Sequence, residues 1–508
     1  MRQKKALYNT ITSLSLQIVT LISGLIIPRL ILSRFGSNVN GLISSVTQFL
    51  GYIVLLEAGV GGVVRASLYK PLSKGDYYSV SRILKSVELF FRKIAFIFVV
   101  YLAFVSILYP FIVKGDFEYW YTSTLVIIIG LTTFIEYYFG ITYQLLLYSD
   151  QRKYLINLIQ IGTYFINIVT VVILIKSNLS IHVIKFVSSL IFIARPLILR
   201  LIIKTKYPLV QDCEPDNDAV KQRWDGFGHH IAFFLHTHTD VVVLTVFTNV
   251  KLVSVYSVYY MIVGNIKQLV KTFLSGIEAT FGDMIAKNEI ATLKKYFRIY
   301  EYITFIITFI LFTCTALLIL PFVSIYTKGI TDINYIRPLF AYLLTISEAI
   351  YCIRIPYSTV TIAAGHFRQT RIGAYVEVCI NILLSLILIN YFDLVGVVIG
   401  TLIAMLFRTV YYVIYLSRNI LHLNVLEFIK RFIINGMCVL LVILINSILP
   451  NWQVNTYSRW ILYAMLITII SSFIIVVINS IFYRKDMKEF LGIVRNLIKL
   501  RIKKEKTS

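Results

Sequence analysis

Apolar runs of about 20 residues recur along nearly the whole chain, the first opening at Tyr8 and the last closing at Phe482. Each run can cross a bilayer as a helix. Composition agrees: 58% of the 508 residues are hydrophobic and only 15% are charged. A soluble protein of this size carries about 25% charged residues, and no buried core accounts for such a deficit over the full length. The first run lacks a small-residue cleavage site behind a short apolar core, so it reads as an anchored helix rather than a removed signal peptide. Cys213, Cys314, Cys352, Cys379 and Cys438 are scattered without C-x-x-C spacing. That argues against a disulfide framework or a zinc ribbon, and most should pack as small apolar residues.

Hydropathy marks about fourteen spans, near 8–33, 40–64, 94–112, 120–148, 154–175, 179–199, 226–247, 253–282, 299–320, 338–362, 372–390, 394–416, 432–449 and 460–482. With the N-terminus in the cytoplasm, the cytoplasmic segments hold 35 of the 49 Lys and Arg residues, and the outside loops hold 7. The other 7 fall inside spans. Such an imbalance is the positive-inside pattern, and it requires an even number of spans with both ends in the cytoplasm. The net charge of +24 is therefore mostly a signature of topology and of anionic lipid. Nucleic-acid binding fits poorly, because the basic residues are dispersed over many short loops. The tail "RNLIKLRIKKEKTS" reads as a helix end on the membrane surface.

The chain also repeats itself at an offset of about 212 residues. "INIVTVVIL" (166–174) matches "INILLSLIL" (380–388), and "RPLILRL" (195–201) matches "RTVYYVI" (408–414). "SNVNGLIS" (37–44) matches "TNVKLVSV" (248–255), and Glu136 faces Glu348. Two copies of six spans each would run the same way through the membrane, with spans 13 and 14 appended. The expected division is an N-terminal lobe over 1–203, a cytoplasmic linker over 204–225, a C-terminal lobe over 226–420, and an appendage with a basic tail over 421–508. Parallel repeats of this kind build transporters with a substrate site between two lobes.

Twelve spans in two lobes plus two more is the arrangement of the Wzx-type lipid-linked oligosaccharide flippases. These belong to the multidrug/oligosaccharidyl-lipid/polysaccharide (MOP) exporter superfamily. The segment 16–72 resembles their first two helices, and "EAGVGGVVR" (57–65) has the family's acidic residue, glycine-rich turn and arginine. The resemblance spans essentially the whole chain through diffuse motifs. It implies an all-α, polytopic, MATE-like membrane fold and no enzymatic activity or cofactor. It further implies an undecaprenyl-pyrophosphate-linked glycan as substrate, in a bacterial cytoplasmic membrane, with membrane lipids and a polysaccharide polymerase and glycosyltransferases as partners.

Charges within spans cost roughly 2.5–3.5 kcal/mol each on insertion scales and usually face a cavity or a partner. The cations are Arg29, Lys185, Arg195, Lys267, Lys271, Arg354 and Arg408, and the acids include Glu57, Glu136, Asp240, Glu278, Glu348 and Glu377. On a continuous helix, Tyr256, Tyr260, Lys267, Lys271 and Glu278 fall within roughly 60° of one another. Cations beside tyrosines suit a pyrophosphate joined to sugars, because Lys and Arg hold the anion while tyrosines stack on sugar faces. Candidate substrate contacts are therefore Lys267, Lys271, Tyr256, Tyr260, Arg29, Arg65, Arg195, Arg354 and Arg408. The structural alternative is that these charges form helix–helix ion pairs, Lys271 with Glu278 among them.

The run "GHHIAFFLHTHTDVVVLTVF" (228–247) invites a metal reading. On a helix His229, His236 and Asp240 fall within about 40° of each other, while His238 points the opposite way. "HTH" is thus no bidentate pair, and two ligands at i, i+4 are too few for zinc. His229, His236 and Asp240, together with Glu57, Glu136, Glu278 and Glu348, are instead candidates for the cavity wall and for coupling, since histidine can change charge near pH 7. The glycines of 57–65 permit tight packing or local unwinding, and Pro28 beside Arg29 suggests a kink. The reading is an alternating-access flippase for a polyprenyl-pyrophosphate-linked oligosaccharide. The alternatives are a flippase for a lipid-linked peptidoglycan precursor, or a multidrug or cation exporter of the same fold. No Walker motif is present to make ATP the direct energy source.

Overall fold

The computed structural model describes residues 2–57, 60–113, 117–210, 212–216, 238–274, 277–450 and 454–505. These residues form helices and their connections, with no strand among them. The helices are α1 (Arg2–Gly51), α2 (Val60–Lys74), α3 (Tyr77–Ile112), α4 (Tyr119–Ile135), α5 (Ile141–Ser149), α6 (Lys153–Lys176) and α7 (Ile181–Lys206). Then follow α8 (His238–Phe247), α9 (Val250–Leu274), α10 (Glu278–Ala286), α11 (Ile290–Tyr326), α12 (Pro338–Ala363), α13 (Phe367–Asn419), α14 (Val425–Ile448), α15 (Tyr457–Phe482) and α16 (Arg484–Glu505). Ten helical segments among the described residues are long and apolar enough to cross a membrane. Hydrocarbon offers no partner for a free N–H or C=O, so an apolar run of this length closes its hydrogen bonds internally.

Two helices carry a break: α13 holds two of the fourteen apolar runs, and α1 holds the first and opens the second. In α1 the break is Gly36, at φ 78° and ψ −179°, a conformation that favours glycine. Asp332 secures the restart: its carboxylate accepts from the Ser37 amide and from the Ser37 hydroxyl, both at 2.7 Å. A Cβ at Gly36 would stand 3.1 Å from that carboxylate. Pro28, where the sequence suggests a kink, lies inside this helix, and the residue that leaves helical geometry is Gly36. In α13 the break is Asp393, at φ 46°. The eighth run also differs from expectation: α9 ends at Leu274 and Glu278 opens α10, so the stretch 253–282 is not one helix.

The chain divides into two compact units, Met1–Ser257 with Gly329–Ile333, and Val258–Lys328 with Asn334–Ser508. In the first unit α1 meets α8 and α9 at backbone distance. A Cβ on Gly41 would lie 1.7 Å from the Val250 carbonyl oxygen, so only glycine admits this crossing. Asn40 donates to Ser254 Oγ at 2.7 Å, and the Ser45 and Thr245 hydroxyls share a hydrogen bond of 2.6 Å. Small residues and hydroxyl pairs are what hold helices together where lipid removes the hydrophobic incentive. The two segments that match in the sequence, 37–44 and 248–255, are the ones that touch here. In the second unit α12 packs between α11 and α13, and α14, α15 and α16 pack on α11.

Candidate functional site

In the second unit, α9, α12 and α13 bury a network of cations, carboxylates and tyrosines. Lys267 reaches both oxygens of Glu348, at 3.0 and 2.9 Å, and the Tyr260 hydroxyl at 3.2 Å. Its ammonium lies 5.2 Å from the Tyr260 ring centre and 5.1 Å from that of Tyr351. The same Tyr351 ring carries the Arg354 guanidinium at 4.7 Å, so one aromatic ring lies against two cations. Arg354 donates to Glu377 at 2.7 Å, and Arg408 approaches the other Glu377 oxygen at 3.5 Å. Arg408 also donates to the Thr370 carbonyl at 3.0 Å and to the Tyr412 hydroxyl at 2.9 Å. A Cβ on Gly373 would stand 2.4 Å from the Arg408 guanidinium, so that glycine makes the seat.

Lys271 follows Lys267 by one turn and lies near both it and Cys352. Among the described residues, Lys267, Lys271, Arg354 and Arg408 gather here with Glu348 and Glu377. Access is graded: the Lys267 side chain is 16% exposed, that of Arg408 3%. Lys267 is thus the better placed to meet a ligand, and Arg408 to anchor the network.

Other candidates from the sequence lie elsewhere. Tyr256 shares the helix face of Tyr260, yet its hydroxyl donates to the buried Asp240 at 3.0 Å in the first unit. His238 pairs with Gln48 and tilts against the Tyr52 ring. Glu278 is exposed at the start of α10, off the α9 stripe altogether. In the first unit, Glu57 ends a 3-10 turn over Tyr52–Glu57 and Glu136 opens a π turn over Glu136–Gly140. Tyr137, on that π turn, lies beside Glu57, and Gln144 donates to Glu136 at 3.2 Å. Departures from α geometry of this kind often mark functional positions. Arg195 donates to Thr163 at 2.7 Å and lies over the rings of Tyr164 and Phe192 at 4.6 and 4.3 Å. Arg65 is exposed and donates to the Gly61 carbonyl at 3.1 Å, while Arg29 is half-buried on α1. His229 and His236 lie outside the described residues. Among the described residues no three His, Cys, Asp or Glu side chains gather as a metal site.

No protein-family model matches the chain, and no curated protein matches it in sequence. Solved structures do match. The lipid II flippase MurJ, in an inward closed conformation, has a TM-score of 0.66 and 16% identity over 94% of this chain and 98% of its own. A MOP superfamily transporter from Pyrococcus furiosus has a TM-score of 0.58 and 13% identity, covering 82% of this chain and 96% of its own. An outward-facing multidrug resistance MATE family transporter of the MOP superfamily has 0.57 and 13%, with coverage of 82% and 96%. This chain has the MurJ/MATE-like fold.

Within that MurJ/MATE-like fold one buried cluster escaped the sequence reading. Arg431 on α14 pairs with Asp486 on α16 and lies 3.3 Å from Glu301 on α11, and Glu301 accepts from the Tyr357 hydroxyl. The sequence reading started the thirteenth span at 432 and so left Arg431 in a loop. The helix begins at Val425, which puts Arg431 inside it. An acid at Glu301 within an otherwise apolar run was the signal available for the cluster.

Proposed function

We propose that this protein moves a polyprenyl-pyrophosphate-linked oligosaccharide from the cytoplasmic to the outer leaflet by alternating access. The observation that carries the reading is the gathering of cations and tyrosines in the α9–α12–α13 network. Lys267, Lys271, Arg354 and Arg408 lie there among Tyr260, Tyr351 and Tyr412. A pyrophosphate that links lipid to sugar bears one negative charge on each phosphate, which lysine and arginine can hold. Lys267, already hydrogen-bonded to Tyr260, offers the anion a charge-assisted donor. Tyr260 and Tyr351 supply flat, polar-tipped rings of the kind that pack against sugars. A cationic drug would meet repulsion in this network, so export of such compounds is the less favoured reading.

A second reading has one observation in its favour. A lipid II flippase is among the structures that share this fold, and a peptidoglycan precursor carries the same pyrophosphate chemistry. The test is reconstitution into proteoliposomes with a fluorescent lipid-linked substrate in the inner leaflet, reporting its arrival outside by quenching. Preference for a polysaccharide repeat unit over lipid II supports the first reading, and the reverse supports the second. Transport of neither, with efflux of a cationic dye, would overturn both.

A further inference from the structure

The first unit holds a second cationic recess, remote from the α9–α12–α13 network in sequence and formed by other helices. It is a cavity of about 660 Å³ between the first half of α3, the start of α5, the last third of α7 and the segment after α7. Lys85 and Arg92 on α3 and Arg200 and Lys204 on α7 line it, with Glu88 as the carboxylate among its lining residues. Glu88 pairs with Arg92, whose guanidinium also lies 4.9 Å from the Tyr138 ring centre. The Arg92 Nε is buried and has no hydrogen-bond acceptor among the described residues. Arg200 lies beside Tyr143 of α5, which also lines the recess. The floor is closed where the Val210 amide donates to Ser81 Oγ at 2.9 Å.

The wall is amphipathic. Leu197 and Leu201 also line the recess, and they are 46% and 65% exposed on the outer side of α7. An anion held by Arg92, Arg200 and Lys204 would therefore have an apolar surface beside it, facing the bilayer. A free inorganic anion has no use for that surface, whereas the acyl chains of a lipid do. The cations that line the recess fall in the sequence stretches 65–93 and 200–225, which are among the more basic ones that the charge pattern assigns to the cytoplasmic side. Anionic lipids are concentrated on that side, and basic recesses between transmembrane helices accept their headgroups.

We propose that this recess binds the phosphate headgroup of an anionic membrane phospholipid, with its acyl chains along Leu197 and Leu201. Such a lipid would brace α3 against α7 without taking part in transport. The site stands independently of the substrate reading, because no residue of the α9–α12–α13 network contributes to it.

The test is native mass spectrometry of the purified full-length protein, titrated with phosphatidylglycerol or phosphatidylcholine. Phosphatidylglycerol should bind in preference. Arg200→Gln with Lys204→Gln should weaken that binding by about 30-fold, taking each interfacial cation at its usual worth. Both side chains are exposed, so their loss strands no buried partner. Arg368→Gln with Arg371→Gln, which removes two exposed cations at the start of α13, should leave the preference unchanged and so control for net charge. Millimolar inorganic pyrophosphate should not displace the lipid. Equal binding of the two lipids, an unchanged preference in the Arg200/Lys204 variant, or displacement by pyrophosphate would overturn the proposal. The last result would mark the recess as a site for a soluble or substrate phosphate instead.

Discussion

Lys267 separates a binding role from a structural one, because its partner can be removed with it. Lys267→Gln deletes the ammonium that holds both oxygens of Glu348, whose side chain is 4% exposed. Stranding one member of a buried pair costs about 3–5 kcal/mol, so the single variant should melt well below the wild type. Lys267→Gln with Glu348→Gln leaves no buried charge at that point and should recover most of the lost stability, to within about 1–2 kcal/mol. Transport should not recover. A hydrogen bond from a charged donor to a phosphate is worth about 1.5–3 kcal/mol, so both variants should flip the lipid-linked substrate about 10- to 150-fold more slowly. Lys267→Arg keeps the charge and should retain part of the activity. Stability is read by melting in detergent with intrinsic fluorescence, and transport by quenching in proteoliposomes containing equal amounts of protein. A double variant that flips substrate at the wild-type rate would refute the binding role and leave Lys267 as a strut.

Arg431→Gln leaves Glu301 and Asp486 buried without their cation, so it should destabilise the protein by about 3–5 kcal/mol, seen as a lower melting temperature and less protein in the membrane. Gly36→Ala forces a side chain into a left-handed conformation against Asp332, and a loss of about 1–3 kcal/mol should appear in the same melting experiment. In a cysteine-free background, Thr331→Cys should react with an impermeant thiol reagent added to intact cells and Ser73→Cys should not, as the distribution of Lys and Arg requires. Reversed labelling would overturn that topology.

Membrane class and the run of apolar stretches are legible in the sequence, and so are the cation asymmetry and the repeated stretches on which the expected topology and two lobes rest. Each is a local or periodic property that holds whatever packs against it. The residues of the network could also be named, because a charge in an apolar stretch stands out: Lys267, Arg354, Arg408, Glu348 and Glu377 all did. Their partnerships could not. Helical periodicity orients side chains about one axis only, so it placed Tyr256 and Glu278 on the stripe of Lys267. The structure bonds Tyr256 to Asp240 and sets Glu278 on a new helix. Lys271 was matched with Glu278 at seven residues' distance in the chain, yet the acid beside these lysines is Glu348, which pairs with Lys267 from 81 residues away. Arg431 went unnoticed because its fate turns on where α14 begins, and helix ends are decided by capping and by neighbours. A buried ion chooses among the acids that helix packing brings within a few ångströms, since desolvation makes any other arrangement costly. Which helices meet is a property of the folded chain, and only the tertiary structure decides it.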